Sequence, residues 1–398
     1  MRDLLKNTVA PISSLLIIMM GVSFFNTFVS VRVSYDGWSN FMIGALYSAY
    51  YAGMMTGTMY IEKIIKHTGF IRAFAMFASV VASSIILQGF TLSPYAWIFY
   101  RFITGLACSG VFIVVESWLL LFSSAKTRGV ALSIYMTSIT LAQTIGQFFL
   151  NFINIQELTA FSLTTIFCTI SIIPVCLMRA TTPTIHETEY VNIFYIFKKI
   201  PLGFIGNFIA GMMVGAFFAL GPVFAKDSGL AVWQISAVMS TTILGGMIVQ
   251  WPIGALSDII DRRRVIIIAS LILTTISLTL FIFSSITFNI LLILLFLFGG
   301  FVFSIYPLSI TYCCDSFSSA GITGVTCAAL LIYGIGCILG PIISPIVMHS
   351  TSPNGLFLYS AILSLILFLI ALTQKRSLSS KPPCEKEHFH IAPNIPIR

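Results

Sequence analysis

The sequence predicts an all-α integral membrane protein whose twelve transmembrane helices form two pseudo-symmetric six-helix bundles. Composition is the first reason. Of the 398 residues, 58% are hydrophobic and 9% are charged, and the mean hydropathy is +0.99. A soluble globular chain has about a quarter charged residues, and it has no core large enough for so much apolar surface. The second reason is that long apolar runs recur along the whole chain, with no polar stretch of domain size between them.

Twelve of these runs have the roughly twenty apolar residues that a transmembrane helix needs. We expect the first six helices at residues 9–31, 39–61, 71–92, 96–121, 128–152 and 158–178. We expect the second six at residues 202–225, 232–255, 265–285, 288–311, 322–346 and 355–373.

A polar stretch near the middle of the chain divides six helices from six. The predicted parts are an N-terminal bundle (1–180), a cytoplasmic central loop (181–200), a C-terminal bundle (201–374) and a disordered cytoplasmic tail (375–398). The tail is predicted to be disordered because it is polar and rich in proline.

Basic residues predict the orientation, because Lys and Arg are retained on the cytoplasmic side during insertion. The chain has 21 Lys and Arg residues, and placing both termini in the cytoplasm puts 18 of them in cytoplasmic segments. Arg32, Arg101 and Lys226 are the exceptions. We therefore expect a multi-pass protein of the bacterial inner membrane with both termini in the cytoplasm.

Several function classes are not expected. The net charge of +8 comes from short clusters between apolar runs, so it predicts topology rather than nucleic-acid binding. The cysteines lack paired CxxC spacing, and Cys384, His388 and His390 have no fold around them, so neither a disulfide framework nor a metal site is expected. The sequence contains no P-loop motif, so ATP-driven transport by this chain is not expected. Neither a cofactor nor a catalytic cluster of an enzyme is expected.

A glycine, an acid and three arginines lie between the eighth and ninth predicted helices. They are Gly254, Asp258, Arg262, Arg263 and Arg264. This spacing resembles the short cytoplasmic loop of the major facilitator superfamily, although Ile259 and Asp261 depart from the pattern. The resemblance covers essentially the whole chain and implies the facilitator fold.

The same loop in the first half keeps Gly69 and Arg72, with Lys66 where the acid is expected. A carboxylate at a helix end can accept hydrogen bonds from the positive N-terminus of a neighbouring helix. We therefore expect Asp258 to latch one conformation, and the first half to lack this latch. The alternative is that both loops are ordinary basic connectors.

The fourth helix carries Arg101 and Gly105, which resemble the Arg-x-x-x-Gly pattern of the superfamily's fourth helix. An arginine within a membrane span costs about 2.5–3.5 kcal/mol on insertion scales, so it does not face lipid unpaired. Arg101 is a candidate for the substrate cavity. The alternative is that it snorkels to water at the outer end or serves packing. Gly105 is a candidate helix-packing residue.

Glu116 is the only carboxylate well inside a predicted span. Intramembrane acids usually mark ion or substrate pathways, which makes Glu116 the candidate for proton coupling. The alternative is an interfacial acid at the cytoplasmic end, beside Trp118. Arg101 and Glu116 are about 22 Å apart along the helix, at 1.5 Å per residue, so they cannot pair directly.

The eleventh helix contains Gly334, Gly336, Gly340 and Pro341, which favour close helix contact and a bend. The superfamily's antiporter motif is similar but belongs in the fifth helix, which has no Gly-Pro here. This mismatch weakens the case for antiport. A simple packing role for the glycines remains open beside a bending role.

Five further polar residues lie at span depth. They are Asn26, Gln143, Gln147, Asn207 and Tyr306. The resemblance implies that helices 1, 4, 7 and 10 line the cavity, which favours Asn26, Asn207 and Tyr306 as lining groups. For each amide, a hydrogen bond between helices is an equally good interpretation.

Local strings at residues 69–74, 116–119, 128–136 and 215–225 resemble the YcaD-like group of bacterial facilitators. The resemblance implies a monomeric secondary transporter in the lipid bilayer that works by alternating access. The many aromatic residues and few buried charges of the chain favour a small amphipathic organic solute as the substrate, and Glu116 favours proton-coupled efflux. The alternatives are a nutrient importer or facilitator, and a solute sensor that does not transport.

Overall fold

A computed structural model describes residues 2–91, 93–123, 127–177, 200–283, 287–315 and 322–374. Within these ranges the chain forms twelve long helices and no β-strand. The first six are α1 (Arg2–Tyr35), α2 (Asn40–Thr68), α3 (Phe70–Phe90), α4 (Pro94–Leu121), α5 (Arg128–Gly146) and α6 (Thr159–Cys176). The second six are α7 (Pro201–Asp227), α8 (Val232–Ile259), α9 (Arg262–Ile282), α10 (Phe288–Cys314), α11 (Ile322–Ser350) and α12 (Gly355–Thr373).

The predicted all-α fold with twelve helices is confirmed. Several helices are longer than their apolar runs, as in α2, which continues through Lys63 and Lys66 to Thr68. The apolar run marks only the part that needs lipid, whereas backbone hydrogen bonding continues beyond it. The tail and all of the predicted central loop except Ile200 lie outside the described residues.

Ten of the helices are long and apolar enough to cross a membrane. The other two, α2 and α5, are more polar: α2 carries charged residues in its last turns, and α5 has 19 residues with several Ser, Thr and Gln. Both pack against apolar neighbours, α2 mainly against α4 and α5 mainly against α1. Large apolar side chains such as Ile293, Ile259 and Leu369 cover the outward helix faces, where a bilayer would contact them.

The helix ends lie at two faces of the molecule. We call the end that carries the α2–α3 and α8–α9 connections the basic face, because Lys66, Arg72 and Arg262 lie there. The other end, with the α1–α2 and α7–α8 turns, is the opposite face. Gly37 and Gly229 form these two turns at φ values of 78° and 79°, a conformation that glycine adopts at little cost.

The two bundles repeat the same helix crossings. In the first, a methyl group at Gly105 of α4 would lie 1.9 Å from the carbonyl oxygen of Tyr50 in α2. In the second, a methyl group at Gly299 of α10 would lie 1.9 Å from the carbonyl oxygen of Thr242 in α8. Equivalent contacts in both halves show that α8 and α10 pack as α2 and α4 do.

The α7–α11 crossing is built in the same way. Methyl groups at Gly336 and Gly340 of α11 would lie 2.3 Å and 2.2 Å from the carbonyl oxygens of Phe208 and Met212. Gly334 differs from its neighbours, because the nearest atom to such a methyl group is the Met55 sulfur at 3.9 Å. Gly334 therefore does not belong to this tight crossing, contrary to its interpretation as a packing residue.

The glycine crossings predict different changes in stability for the same Gly→Ala substitution at two positions. We expect Gly299→Ala to destabilise the fold by about 2 kcal/mol or more, because the added methyl group meets backbone that cannot rotate away. Gly254→Ala is the matched control, since a methyl group there meets open space. Alanine is also the better helix former, by about 1 kcal/mol. Chemical unfolding of both variants in detergent micelles measures the difference; equal stability would contradict this packing.

Candidate functional site

The two bundles are joined near the opposite face. Within the described part of the chain, five hydrogen-bonded contacts connect them, and each lies in the half of the molecule nearer that face. They are Ser30 to Ala219, Ser48 to Ile338, Ser240 to Thr144, Asn151 to Ser236, and Lys226 to Ser34. A methyl group at Gly44 of α2 would also lie 2.0 Å from the carbonyl oxygen of Pro341 in α11. We call this set of contacts the seal.

Lys226 of α7 forms the polar edge of the seal. Its Nζ donates to the backbone oxygen of Ser34 at 3.1 Å and to the Ser34 hydroxyl at 3.0 Å, and it lies 5.1 Å from the centroid of the Tyr35 ring. Ser34 is in the last turn of α1, where carbonyl groups lack partners within the helix and the dipole is negative. A lysine of one bundle thus binds the helix end of the other.

Arg101 lies inside the first bundle, next to the seal. Its side chain is 0% exposed, so it does not snorkel to water. The Cζ atom is 5.0 Å from the centroid of the Tyr47 ring and 4.5 Å from that of Tyr50. Gly105 makes this possible, because the close α2–α4 crossing brings Arg101 against both rings. Nε, Nη1 and Nη2 have no hydrogen-bond partner among the described residues.

A short chain of hydroxyl groups connects Arg101 to the seal. The Tyr47 hydroxyl donates to the backbone oxygen of Asn26, and the Ser30 hydroxyl is 2.8 Å from the Tyr47 oxygen. Ser30 also lies 2.8 Å from the carbonyl oxygen of Ala219 in the second bundle. Movement of the two bundles apart at the opposite face would break this last contact and free Ser30, which touches Tyr47.

The second bundle has no counterpart of Arg101. Leu295 of α10 precedes Phe296 and Gly299 as Arg101 precedes Phe102 and Gly105, and it is fully buried. The equivalent glycine contacts place both residues at the same point of the α-helix crossing. At this pair of equivalent positions, the buried cation therefore belongs to the first bundle.

Glu116 lies towards the basic end of α4 and is half-buried. No ion pair or hydrogen bond to it is present among the described residues, and it is close enough to Tyr306 of α10 for an electrostatic interaction. Trp118 is fully buried and stacks on Phe70 at 5.4 Å. Trp118 is therefore not the interfacial anchor that the alternative interpretation of Glu116 requires.

Two of the predicted cavity residues, Gln143 and Gln147, lie at the contact with α1, and Gln147 bonds that helix through its side chain. Gln147 is buried, accepts a hydrogen bond from Thr27 at 2.6 Å and donates to the Ser23 hydroxyl at 2.6 Å. Ser23 also donates to the carbonyl oxygen of Gln143 at 3.0 Å. These contacts tie α1 to α5, so the interhelical interpretation holds for Gln147.

The other three occupy different places. Asn207 is fully buried near the basic end of α7 and donates to Gly203 of its own helix at 2.8 Å. Tyr306 is half-buried, with its ring centroid 4.6 Å from that of Tyr333. The backbone oxygen of Asn26 accepts from Tyr47, whose ring contacts Arg101, and the Asn26 side-chain oxygen has no partner among the described residues. Only Asn26 is therefore brought together with Arg101.

The α8–α9 connection differs from the expected latch. Asp258 is 72% exposed and pairs with Arg262 at 3.1 Å, while Arg262 also contacts Asp315 at 3.2 Å. Asp261 accepts the hydrogen bond from the backbone nitrogen of Arg263 at 3.0 Å. The carboxylate at a helix N-terminus is thus Asp261, which departs from the family pattern, and not Asp258.

Arg263 binds a helix end as well. Its Nε donates to the carbonyl oxygen of Ala371 at 2.8 Å and its Nη2 to that of Leu372 at 3.0 Å, in the last turn of α12. Arg72 and Arg264 are exposed, and Gly69 ends α2 at a φ of 77°. In the structure this loop secures helix ends within the second bundle.

Sequence reasoning did not select Tyr47, Tyr50, Ser30 or the Lys226 contact. A signal for the tyrosines was present, because Tyr50 and Gly53 lie one turn apart on α2 and Gly57 follows Gly53 at the four-residue spacing of close helix packing. Ser30 carried no such signal. Among the described residues, no group of three His, Cys, Asp or Glu side chains converges on a metal site.

Comparison with known proteins agrees with this architecture. The sequence model of the Major Facilitator Superfamily matches residues 12–328 and 203–395. The MFS-type transporter YcaD of Escherichia fergusonii is 26% identical over 371 residues, which cover 93% of this chain and 96% of the relative. YcaD of Shigella flexneri is 25% identical over 373 residues, with the same coverage of 93% and 96%.

Solved structures show the same fold. The nucleoside transporter NupG has a TM-score of 0.75 at 17% identity, covering 94% of this chain and 100% of that one. A bacterial homologue of the lysosomal transporter Spinster has a TM-score of 0.66 at 14% identity, covering 92% and 95%. The family match spans most of the sequence, and the twelve helices repeat one packing plan in two bundles, as the resemblance to facilitators implies. The chain therefore belongs to the major facilitator superfamily of membrane transporters.

Proposed function

We propose that this chain moves a small amphipathic organic solute across the bacterial inner membrane by alternating access, as a monomer, and that protons drive export. The observation that carries the proposal is the seal. Among the described residues, hydrogen bonds connect the two similarly built bundles near one face only. Two rigid bundles joined at one face can rock about a site between them. A solute then reaches this site from one side at a time.

The proposal places the basic face in the cytoplasm, as the distribution of Lys and Arg favours. The structure then corresponds to a state sealed towards the outside. Each bundle has its own glycine crossings, such as Gly105 on Tyr50 and Gly299 on Thr242. Because these contacts lie within a bundle, they persist while the contacts between bundles change.

Glu116 is the residue that we propose for proton coupling. It lies towards the basic end of α4, close enough to Tyr306 of the second bundle for an electrostatic interaction. When the basic face closes, Glu116 becomes more buried. A carboxylic acid is cheaper to bury than a carboxylate, so protonation favours the state that opens at the opposite face.

The first prediction concerns Lys226. We expect Lys226→Met to weaken the seal, because the last turn of α1 loses its hydrogen-bond donor, and to increase the population that is open at the opposite face. The reporter is Ser48→Cys in a chain whose eight native cysteines are changed to serine, since Ser48 is 7% exposed and bonds Ile338 across the seal. Labelling by an impermeant maleimide should become at least about threefold faster, as expected when one hydrogen bond of about 1 kcal/mol is lost.

Lys226→Arg is the matched control, because a guanidinium retains the charge and the donors. Its labelling rate should stay near that of the parent. Right-side-out vesicles should label faster than inverted ones if the opposite face is external. Equal labelling of Lys226→Met and Lys226→Arg would contradict the role of this contact, and labelling only in inverted vesicles would reverse the orientation.

The second prediction concerns pH. With the same reporter, acidification should speed labelling of the parent, because protonated Glu116 is more easily buried at the closing basic face. Glu116→Gln should label fast at every pH, since an amide is permanently neutral. Rates are divided by those of the SDS-unfolded protein at the same pH to remove thiol ionisation. A pH response that survives in Glu116→Gln would remove Glu116 from the coupling mechanism.

A further inference from the structure

The Arg101 side chain has more hydrogen-bonding capacity than the protein uses. A guanidinium is charged at every physiological pH and carries five N–H donors. All three nitrogens of Arg101 are buried without a partner among the described residues. Burial of an isolated charge is costly even after relaxation of its surroundings. The two contacts with tyrosine rings offset only part of this cost.

The surroundings of Arg101 indicate the sign and the shape of what it binds. Tyr47 and Tyr50 interact with the cation through their ring faces. Rings do not accept the in-plane hydrogen bonds of a guanidinium, so its fork of donors remains unused. A carboxylate matches that fork with two parallel hydrogen bonds. The aromatic walls at the same time favour an apolar body next to the carboxylate.

Among the described residues, no acidic side chain lies within hydrogen-bonding distance of Arg101. Glu116, on the same helix, is about 22 Å away along the helix axis. The equivalent position of the second bundle is Leu295, so a buried cation occupies one of these two equivalent described positions and not both. The site therefore suits a singly charged group.

We propose that Arg101, held between the rings of Tyr47 and Tyr50, binds the carboxylate of the transported solute. This inference rests on the proposed function and narrows its substrate class to amphipathic monocarboxylates. Arg101 is then the residue that determines specificity. Its position explains how the solute acts on the seal: Tyr47 contacts both Arg101 and Ser30, and Ser30 contacts Ala219 of the second bundle.

The test is a binding measurement on the purified full-length protein in detergent, in a chloride-free buffer of constant sodium sulfate concentration. Thermal unfolding is followed with sodium formate, acetate and benzoate. Formamide, acetamide and benzamide are the neutral probes of matching shape, and sodium chloride tests an inorganic anion. We expect the carboxylates to raise the unfolding temperature saturably, with one binding site per chain and benzoate strongest, whereas the amides have no effect.

Two variants assign the effect to the fork of donors. Arg101→Gln should abolish the carboxylate response. Should Arg101→Gln fail to fold, Arg101→Lys keeps the charge but loses the fork, and it should weaken binding by at least about tenfold. Lys63→Gln, an exposed cation near the basic face, is the control and should respond as the parent does.

Four results would overturn the inference: no carboxylate response in the parent, an equal response to the amides, an unchanged affinity in Arg101→Lys, or a response to chloride alone. Labelling of the Ser48→Cys reporter separates this inference from the proposed function. If Lys226→Met speeds labelling while no carboxylate binds, alternating access stands and the carboxylate site does not. If carboxylates bind but labelling never changes, the site stands and alternating access does not.

Discussion

Close contact between helix backbones at glycine residues is the constraint on which the rest of this structure depends. Within lipid the hydrophobic effect does not drive helices together, so helix association depends on van der Waals contact and hydrogen bonds. At Gly105 and Gly299 the facing carbonyl oxygen leaves no room for a methyl group. These crossings set the position of every side chain around them, and they do so equally in both bundles.

The buried arginine is a direct consequence of this packing. Because α4 approaches α2 so closely at Gly105, the residue one turn earlier meets the rings of Tyr47 and Tyr50 rather than lipid. The same crossing in the second bundle places Leu295 at the equivalent point and needs no compensation. Symmetric backbones with asymmetric side chains thus produce one charged site beside an apolar counterpart.

Apart from the close approach of Gly44 to Pro341, the contacts between the bundles are of a different kind from those within them. Within a bundle, helices meet at glycine over several turns, and such crossings cannot loosen gradually. Between bundles, single hydroxyl and ammonium groups such as those of Ser48 and Lys226 bond backbone oxygens. Each of these bonds contributes only about 1 kcal/mol net, so the connection between bundles can be exchanged while the bundles stay intact.

The sequence alone determined the class of fold, the number of helices and most helix ends, because a bilayer demands long apolar runs whatever their tertiary neighbours are. It also singled out Arg101 and Glu116, since charge within a span is costly and rarely accidental. The tertiary structure decided what these residues touch. Gln147 ties α1 to α5, Asp261 rather than Asp258 caps a helix, and Gly334 lies outside the tight crossing. Such outcomes depend on which helix faces meet, and helix faces in lipid are all similarly apolar, so periodicity in the sequence carries little information about them.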